Sequence, residues 1–455
     1  MTDGNARPLP RRVIVAYALP AAAIALPTIP VFIHLPALYG DTLGVGLAAT
    51  GVALLVARLF DTVTDPLIGW LSDRVPIWRH RRKPWIVLGA VIAGPALHQL
   101  LVPEGSVDAA YLTIWSVVLY AGWTLIAVPY MAWGAELSSD YGERARITSW
   151  RETASLTGII TAAVLGAAVA GSEPDGFEGP SVVATTTIAL GLLFIPALLA
   201  MVPDAGLPRI ADAPARGVGP VFAAAVTLFR NGPFTRLLFA WFVNGIANGI
   251  PAALFFLYLD HGLGVGAADR PIFVLVYFLA AVVAIPLWYR ISLDVGKHRT
   301  WCLAMLVTSA GFLCVALLAA LPHDSAVAGF LIICAITGAG LGADLALPPA
   351  IQADVADYDQ LRHRRSRVGL QFALWGMATK LALALAVGTA LPALEALGFD
   401  PSAVGSGGSI ALVTLYAVVP VMIKLAAVSL VWNFPITPAR HAVIRRRLAT
   451  RRRAA

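Results

Sequence analysis

Three ionisable side chains interrupt one apolar stretch of the sequence at helical spacing. Arg58, Asp61 and Asp65 lie within a run that is otherwise rich in leucine, valine, alanine and threonine. Because an α-helix turns by about 100° per residue, the three share one stripe of a helix, and the two carboxylates are about one turn apart. Carboxylates at this spacing repel each other, which raises the affinity of at least one for a proton or favours a cation between them. The pattern predicts a binding site for Na⁺ or H⁺.

The charges and the proline of this segment each allow two interpretations. A charge at the centre of a lipid-facing helix costs about 2.5–3.5 kcal/mol, so intramembrane charges usually mark ion or substrate pathways. We therefore assign Arg58 to coupling, with a structural Arg58–Asp61 pair as the alternative. Pro66 has no amide hydrogen and leaves the carbonyl of Thr62 without its helical partner. Thr62, through its carbonyl or hydroxyl, is a candidate third ligand, unless the proline serves only to kink the helix.

A further charge lies in the middle of a later apolar segment. Lys380 has threonine, leucine and alanine as its sequence neighbours, and it is too far from the segment ends for its ammonium to reach the membrane surface easily. A lysine in this position usually has a carboxylate partner. We expect that partner to be Asp61 or Asp65 on the other half of the protein, so that cation binding could break the pair. A structural lysine held by carbonyls or water is the alternative.

Weaker candidates are polar and aromatic residues within other apolar segments, which could contact a transported solute. Residues of these types more often serve packing or interhelical hydrogen bonding. The candidates are Trp123, Tyr130, Arg151, Asn244, Asn248, Gln371 and Trp375. Asp73 and Arg74, at the end of the segment that contains Asp61, are candidates for a cytoplasmic gate between the halves. The alternative is that the charges at this end of the segment are simply solvated.

The elements that position these residues follow from composition and length. Hydrophobic residues make up 58% of the chain and charged residues 13%, against about 45–50% and 25% in soluble domains. This excess indicates a lipid-facing surface, and lipid requires each spanning segment to be helical. The 455 residues accommodate about twelve spans of roughly 20 residues. We predict spans at 13–38, 46–72, 84–102, 109–137, 147–171, 181–202, 235–260, 269–290, 300–321, 327–350, 367–393 and 409–434.

A long polar connection divides these spans six and six. We predict an N-terminal half at 1–202, a cytoplasmic linker at 203–234, a C-terminal half at 235–434 and a basic cytoplasmic tail at 435–455. Basic residues gather in alternate loops, so both termini are predicted to be cytoplasmic in a cell-membrane protein. The net charge of +7 is explained by this topology and by anionic lipid headgroups, without a nucleic-acid partner.

Other function classes lack their usual signals. The sequence has none of the spacings expected for a nucleophile with its base, a metal cluster or a phosphate loop, so we predict no enzyme activity. No pore-lining repeat or soluble sensing domain suggests a channel or a receptor. We expect no cofactor beyond the coupling ion, a small-molecule solute and membrane lipids as partners, and function as a monomer.

The charged segments also carry a family resemblance. The sequence resembles the glycoside–pentoside–hexuronide:cation symporters, the melibiose-permease-like branch of the major facilitator superfamily, over nearly its whole length. This implies a two-lobed fold of twelve helices with alternating access, in which Asp61 and Asp65 bind Na⁺, Li⁺ or H⁺. Arg58 and Lys380 match the family's arginine and lysine. The resemblance is carried by Arg58, Asp61, Asp65, Pro66, Gly69, Ser72, Asp73 and Arg74; by Arg81, Arg82, Lys83, Pro84 and Trp85; by Gln352, Asp354, Asp357 and Tyr358; and by Trp375 and Lys380.

Two positions depart from the family pattern. Melibiose permease has an acidic residue in the first span and another in the fourth, which grip the sugar, and Ala25 and Ala127 stand there in this sequence. Trp123 stands where the sugar-stacking aromatic would be, and Arg151 resembles the family's fifth-span arginine. The family expectation is a small organic solute such as a sugar or glycoside, although without both acids a hexose would lose its main polar contacts. A lysolipid-like or other amphipathic solute is the alternative, and a uniporter or a non-transporting membrane protein is the remaining one.

Overall fold

The computed structural model describes residues 9–453 apart from 29, 32–34, 36–37, 40–42, 46, 76–79, 104, 106, 139, 170–177, 205–218, 267–268, 364–366 and 398–405. Within the described residues the chain forms helices joined by mostly short connections. They are α1 (Arg11–Ala25), α2 (Leu47–Arg74), α3 (Lys83–Leu101), α4 (Ala109–Glu136), α5 (Tyr141–Val169), α6 (Glu178–Met201), α7 (Gly219–Leu228), α8 (Gly232–Leu257), α9 (Arg270–Val295), α10 (Lys297–Leu318), α11 (His323–His363), α12 (Val368–Ala396), α13 (Ser406–Val413), α14 (Val419–Val431) and α15 (Pro438–Arg453). Single π-helical turns follow α8 at Tyr258–Gly262 and join α13 to α14 at Thr414–Val418.

Short polar residues set the starts of several helices. The carboxylate of Asp108 accepts a hydrogen bond from the amide of Tyr111 at 2.7 Å and caps α4. The side chain of Asn231 accepts from the amide of Phe234 at 3.3 Å and caps α8. Both satisfy an amide that the first turn of a helix leaves without a partner. Between α9 and α10 the chain turns at Gly296, where φ is 92°, a conformation that glycine adopts without a side-chain clash.

Nine helices of the described part of the chain are long and apolar enough to cross a membrane. They coincide with nine of the twelve predicted spans, and the other three fall on α1, α2 and α5. α1 has only 15 residues, while α2 and α5 carry charged side chains within their length. The expected all-helical fold class is confirmed.

The chain forms two compact units. The first comprises residues 1–227 and 356–374, and the second comprises residues 228–355 and 375–455. The last turns of α11 and the first turns of α12 therefore pack with the N-terminal helices. Residues 205–218 of the predicted linker at 203–234 lie outside the described residues, and its described part includes the short helix α7. The predicted division into halves at this linker stays a prediction.

Helix pairs in each unit bring the charged positions together. In the first unit α4 packs against both α2 and α3, and α1 packs against α5 and α6. In the second unit α14 packs against α8 and α10. An aromatic core supports this second set, in which the rings of Tyr258 and Tyr416 stack with centroids 4.6 Å apart.

Candidate cation and solute sites

The two predicted cation ligands are buried side by side in the first unit. Asp61 and Asp65 are 5% and 4% exposed, although they lie in a helix of otherwise apolar surroundings. The hydroxyl of Thr124 on α4 lies 2.9 Å from Oδ1 of Asp61 and 2.9 Å from Oδ1 of Asp65. One hydroxyl therefore bridges both carboxylates, and it is itself buried.

Thr124 is a site residue that the sequence did not indicate. Threonine is common in apolar helices, and its hydroxyl is usually satisfied by a carbonyl of its own helix. Here the packing of α2 on α4 turns it toward the two carboxylates instead. The one sequence signal is its position directly after Trp123, a candidate for solute contact.

The hydroxyl of Thr62, the predicted third ligand, is engaged within its own helix. It donates to the carbonyl of Arg58 at 2.9 Å. Thr124, and not the Thr62 hydroxyl, thus supplies the described hydrogen bonds to the two carboxylates. A role for the Thr62 carbonyl stays a prediction.

Arg58 and Trp123 both lie beside one tyrosine, Tyr120, near this site. The guanidinium carbon of Arg58 lies 5.6 Å from the ring centroid of Tyr120. The same ring stacks with Trp123, with centroids 6.4 Å apart and planes inclined by 13°. Tyr120 precedes Thr124 on α4 by four positions and Trp123 precedes it by one. The candidate ligands of the cation and the aromatic candidate for solute contact therefore lie in the same part of the first unit.

Tyr130 and Arg151 contribute to the packing of three helices. The phenol of Tyr130 donates to the carbonyl of Tyr17 on α1, and the phenol of Tyr17 donates back to the carbonyl of Tyr130 at 3.1 Å. Their rings stack with centroids 4.7 Å apart. Arg151 on α5 pairs with Glu152 and lies near both tyrosines. These contacts link α1, α4 and α5, which is the packing role that polar residues often have in apolar helices.

In the second unit, Asn244 and Asn248 belong to a buried ionic cluster. Both side-chain amides donate to Oδ2 of Asp344 on α11, at 3.1 and 2.9 Å. Both amide oxygens accept from the ammonium of Lys424 on α14, at 2.8 and 2.7 Å. The indole of Trp301 on α10 donates to the other oxygen of Asp344 at 2.5 Å.

Asp344 and Lys424 were missed by the sequence analysis, although a signal existed. Each is a charge inside a predicted span, at 327–350 and 409–434, which is the criterion that singled out Lys380. Their importance became visible only when the fold placed them together with the two asparagines.

The remaining candidates lie along α12. Trp375 stacks on Trp241 of α8, with centroids 4.6 Å apart, and the indole of Trp241 donates to the hydroxyl of Thr379 at 2.8 Å. Gln371 is fully buried in the first unit. Lys380 is half-buried on the same helix and belongs to the second unit. Its predicted pairing with Asp61 or Asp65 stays a prediction.

Asp73, the predicted gate residue, caps the start of α12. Its two carboxylate oxygens accept from the amides of Gly369 and Leu370 at 2.8 and 3.0 Å. Anions are favoured at this end of a helix, where the first amides lack partners and the helix dipole is positive. Arg74, the other predicted gate residue, lies over the ring of Trp70 at 4.8 Å.

Two arginines after α2 complete the network around Asp73. Arg82 donates to Asp73 at 2.7 Å and to Glu136 of α4 at 2.9 and 3.1 Å. Arg81 pairs with Asp73 at 3.3 Å and with Glu136 at 3.1 Å. Burial alone would lower the pKa of the Arg82 guanidinium, but the carboxylates of Glu136 and Asp73 outweigh it and hold the pKa above its ordinary value. Arg82 therefore stays charged at every physiological pH.

A pair of glycines allows α2 and α12 to approach closely beside this network. A Cβ atom on Gly69 would lie 2.6 Å from the carbonyl oxygen of Gly369 and 2.7 Å from the Cβ of Ala373. A Cβ on Gly369 would lie 2.8 Å from the carboxylate of Asp73. Glycine at both positions is thus required for the contact that Asp73 makes.

The later family motif holds two further buried ion pairs. Asp354 on α11 pairs with Lys297 at 2.6 Å in the second unit. Asp357 pairs with Arg144 of α5 at 2.7 Å in the first unit. Asp354 therefore makes its ion pair within the second unit, and Asp357, one turn later on α11, makes its ion pair within the first.

Comparison with known proteins identifies the family. The model of a family described as MFS/sugar transport protein matches residues 16–438. The chain belongs to this family. Its major facilitator fold is that of the solved proton:xylose symporter XylE bound to 6-bromo-6-deoxy-D-glucose, with a TM-score of 0.65 and 13% identity over 94% of this chain and 96% of that one.

Curated relatives include proteins named for two kinds of solute. The chain is 24% identical to the glucuronide carrier protein homolog of Escherichia coli (strain K12), over 94% of this chain and 93% of the relative. It is 23% identical to the sodium-dependent lysophosphatidylcholine symporter 1-B of Danio rerio, over 85% of this chain and 79% of the relative.

Membership of the MFS/sugar transport family settles the broad function. The protein is a multi-pass membrane transporter of small-molecule solutes, as predicted, and not an enzyme. The two departures noted in the sequence lie on α1 and α4, where Ala25 is buried and Ala127 half-buried. Both positions present methyl groups in place of carboxylates.

Proposed function

We propose that this transporter is a cation-coupled symporter in which Asp61, Asp65 and Thr124 bind the coupling ion. The observation that carries this proposal is the pair of buried carboxylates bridged by one hydroxyl. A bound proton or monovalent cation would neutralise part of the charge of these two buried carboxylates.

The geometry at Thr124 leaves a natural place for one positive charge. A hydroxyl has a single hydrogen, so it cannot donate at full strength to both carboxylates at once. If one carboxyl is protonated, it donates to the threonine oxygen while the threonine donates to the other carboxylate, and both contacts at 2.9 Å become ordinary hydrogen bonds. A Na⁺ ion would instead use the hydroxyl oxygen and one oxygen from each carboxylate as ligands, which suit a hard cation. The coupling ion is thus H⁺ or Na⁺, and no other cofactor is required.

The network at the start of α12 supports a gating role for Asp73. Movement of α12 away from α2 would strip two amide hydrogen bonds from Asp73 and leave its charge beside Arg81 and Arg82 alone. Such a buried, two-sided contact is suited to hold one state of an alternating-access cycle. Ion binding at Asp61 and Asp65, on the same helix, would shift the balance between states through its differential affinity for them.

The basic loops support cytoplasmic termini, which places the Asp73 network on the cytoplasmic side of the membrane. We propose that the protein functions as a monomer.

A sugar or glycoside is the solute that family membership favours. Trp123 in the first unit and Trp241 in the second are both half-buried, and each offers a flat aromatic surface to which the apolar face of a sugar ring can bind. The chain's resemblance to the glucuronide carrier homolog agrees with this assignment.

An amphipathic solute is the second candidate, favoured by a cavity in the second unit. The cavity has a volume of about 190 Å³ and is lined mainly by aromatic and aliphatic side chains, among them Phe255, Phe312 and Tyr416, with Asn248 and Asp344 as polar groups. Ala25 and Ala127 likewise replace the carboxylates expected to grip a sugar. The resemblance to the lysophosphatidylcholine symporter agrees with this reading.

The ion site is tested first by a measurement that needs no solute. Purified protein is titrated with NaCl and LiCl against choline chloride, and separately with pH, while thermal unfolding is followed. We expect the coupling ion to raise the unfolding temperature of the wild type, because a ligand that binds only the folded state stabilises it. The Asp61→Asn/Asp65→Asn variant should lose this response, since neutral amides do not attract the ion.

The same ion is then used to drive uptake of a labelled glucuronide and a labelled lysophospholipid into proteoliposomes. Glucuronide uptake supports the first solute, and lysophospholipid uptake supports the second. A wild type that no ion stabilises, with a double variant indistinguishable from it, would contradict cation coupling and point to a uniporter or a non-transporting protein.

A further inference from the structure

The ionic cluster of the second unit is built around an ammonium. Lys424 is fully buried, and its Nζ donates to Oδ1 of Asn244 at 2.8 Å and to Oδ1 of Asn248 at 2.7 Å. Oδ2 of Asp344 lies 3.6 Å away. Three oxygens on two helices, α8 and α11, thus surround a positive charge that a third helix, α14, brings to them.

The chemistry of the cluster fixes the orientation of its amides. The amide nitrogens of Asn244 and Asn248 both point to Asp344, so their oxygens are free to face the ammonium. Trp301 supports the far oxygen of Asp344. The oxygens are therefore held in place by contacts that do not involve Lys424.

One carboxylate and two amide oxygens around one point are the kind of oxygen ligands that suit a cation. We propose that the oxygens of Asn244, Asn248 and Asp344 form a binding site for a monovalent cation of ammonium size, which the tethered ammonium of Lys424 occupies. Nζ–O distances of 2.7–2.8 Å are those of charge-assisted hydrogen bonds. They suit ammonium and K⁺, which is close to it in size, better than the smaller Na⁺ or Li⁺.

This occupancy gives the two units different roles. The group that occupies the site in the second unit cannot leave during a transport cycle, because it is covalently attached. The exchangeable ion is then left to the carboxylates of the first unit. The inference concerns a separate set of residues and holds whether or not Asp61 and Asp65 bind the coupling ion.

The test removes the tethered ammonium and asks whether a free cation replaces it. Three full-length variants, Lys424→Ala, Lys424→Met and Asp344→Asn/Lys424→Ala, are prepared in the Asp61→Asn/Asp65→Asn background, so that an ion response cannot come from the first unit. Thermal unfolding is followed in increasing ammonium, methylammonium, potassium or lithium chloride, each against choline chloride at equal ionic strength.

The proposal predicts a response in one variant only. Lys424→Ala should start less stable than its parent and regain stability in a saturable manner with ammonium, methylammonium and K⁺, and least with Li⁺. Lys424→Met loses the same charge but fills the same space, so it should not respond. The Asp344→Asn/Lys424→Ala variant lacks the carboxylate and should not respond either.

Equal responses of Lys424→Ala and Lys424→Met, or no response in Lys424→Ala, would overturn the proposal and reduce the cluster to a structural ion pair. If Lys424→Ala does not fold in choline chloride, membranes are solubilised in parallel in ammonium chloride. Recovery of folded Lys424→Ala in ammonium alone supports the site. Failure in both salts, with the Asp344→Asn/Lys424→Ala variant recovered, overturns it.

Discussion

One hydroxyl serves two carboxylates in the first unit. Thr124 contributes nothing to net charge or hydrophobicity, yet it lies 2.9 Å from both Asp61 and Asp65. Hydrogen bonds to charged groups contribute about 1.5–3 kcal/mol when buried. A single oxygen atom at this position should therefore influence how tightly the pair holds the proposed coupling ion.

We predict that Thr124→Val changes ion affinity while Thr124→Ser does not. Valine keeps the shape of threonine and removes the hydroxyl, so a Na⁺ ion loses one ligand and its half-saturating concentration rises about tenfold or more, as the energy of one such bond implies. For a proton, the valine variant loses both the oxygen that accepts from the protonated carboxyl and the hydrogen donated to the other carboxylate, so proton-dependent stabilisation should also weaken. Ion-dependent thermal stabilisation measures both. A valine variant that behaves like the serine variant would exclude Thr124 from the site.

The contact between helices α2 and α12 depends on two glycines, which have no side chain. Gly69 and Gly369 bring the helix backbones together, and Asp73 then reaches the amides of Gly369 and Leu370. The positive charges of Arg81 and Arg82 balance the negative charges of Asp73 and Glu136. The proposed gate thus combines close helix packing with a charge placed at a helix start.

We predict that Gly69→Ala opens this contact. Its Cβ would meet backbone at 2.6 Å, and because backbone cannot yield as a flexible side chain does, we expect a loss of about 1–3 kcal/mol of folding stability together with reduced transport. Thermal unfolding and uptake measure the two effects. Gly51→Ala in the same helix is the matched control, since a Cβ there meets nothing within 4 Å. If Gly69→Ala proves as stable and active as Gly51→Ala, the close contact is not needed for the cycle.

For the whole molecule, the distribution of charge predicts which way the chain crosses the membrane. The helix α15 carries many arginines, whereas the connection between α8 and α9 contains Asp269 and lacks such a basic run. Basic flanks are retained on the cytoplasmic side. Both termini should therefore be cytoplasmic and the α8–α9 connection external.

Cysteine labelling in intact cells checks this orientation. In a background with Cys302, Cys314 and Cys334 replaced by serine, we expect Asp269→Cys to react with a membrane-impermeant maleimide in intact cells. Ala449→Cys should react only after the membrane is permeabilised. Both positions are exposed, so accessibility within the fold is not limiting. The reverse pattern would show that the positive-inside assignment is wrong.

The sequence by itself determined the class of the protein and the residues most costly to bury. Apolar spans and the stripe of Arg58, Asp61 and Asp65 are local patterns, because lipid imposes its demand on each segment separately. By the same argument Asp344 and Lys424 could have been found, as charges within predicted spans.

Only the tertiary structure decided which groups meet. Thr124 and Asp65 are 59 residues apart in sequence, and Asp73 and Leu370 are 297 apart. Such pairings depend on the rotation of each helix about its axis and on the small residues that set how closely helices approach, and neither is encoded in the periodicity of a single segment. Asn244 and Asn248 were predicted as solute contacts for this reason. Only the packing of α8, α11 and α14 shows that their side-chain oxygens accept from the ammonium of Lys424.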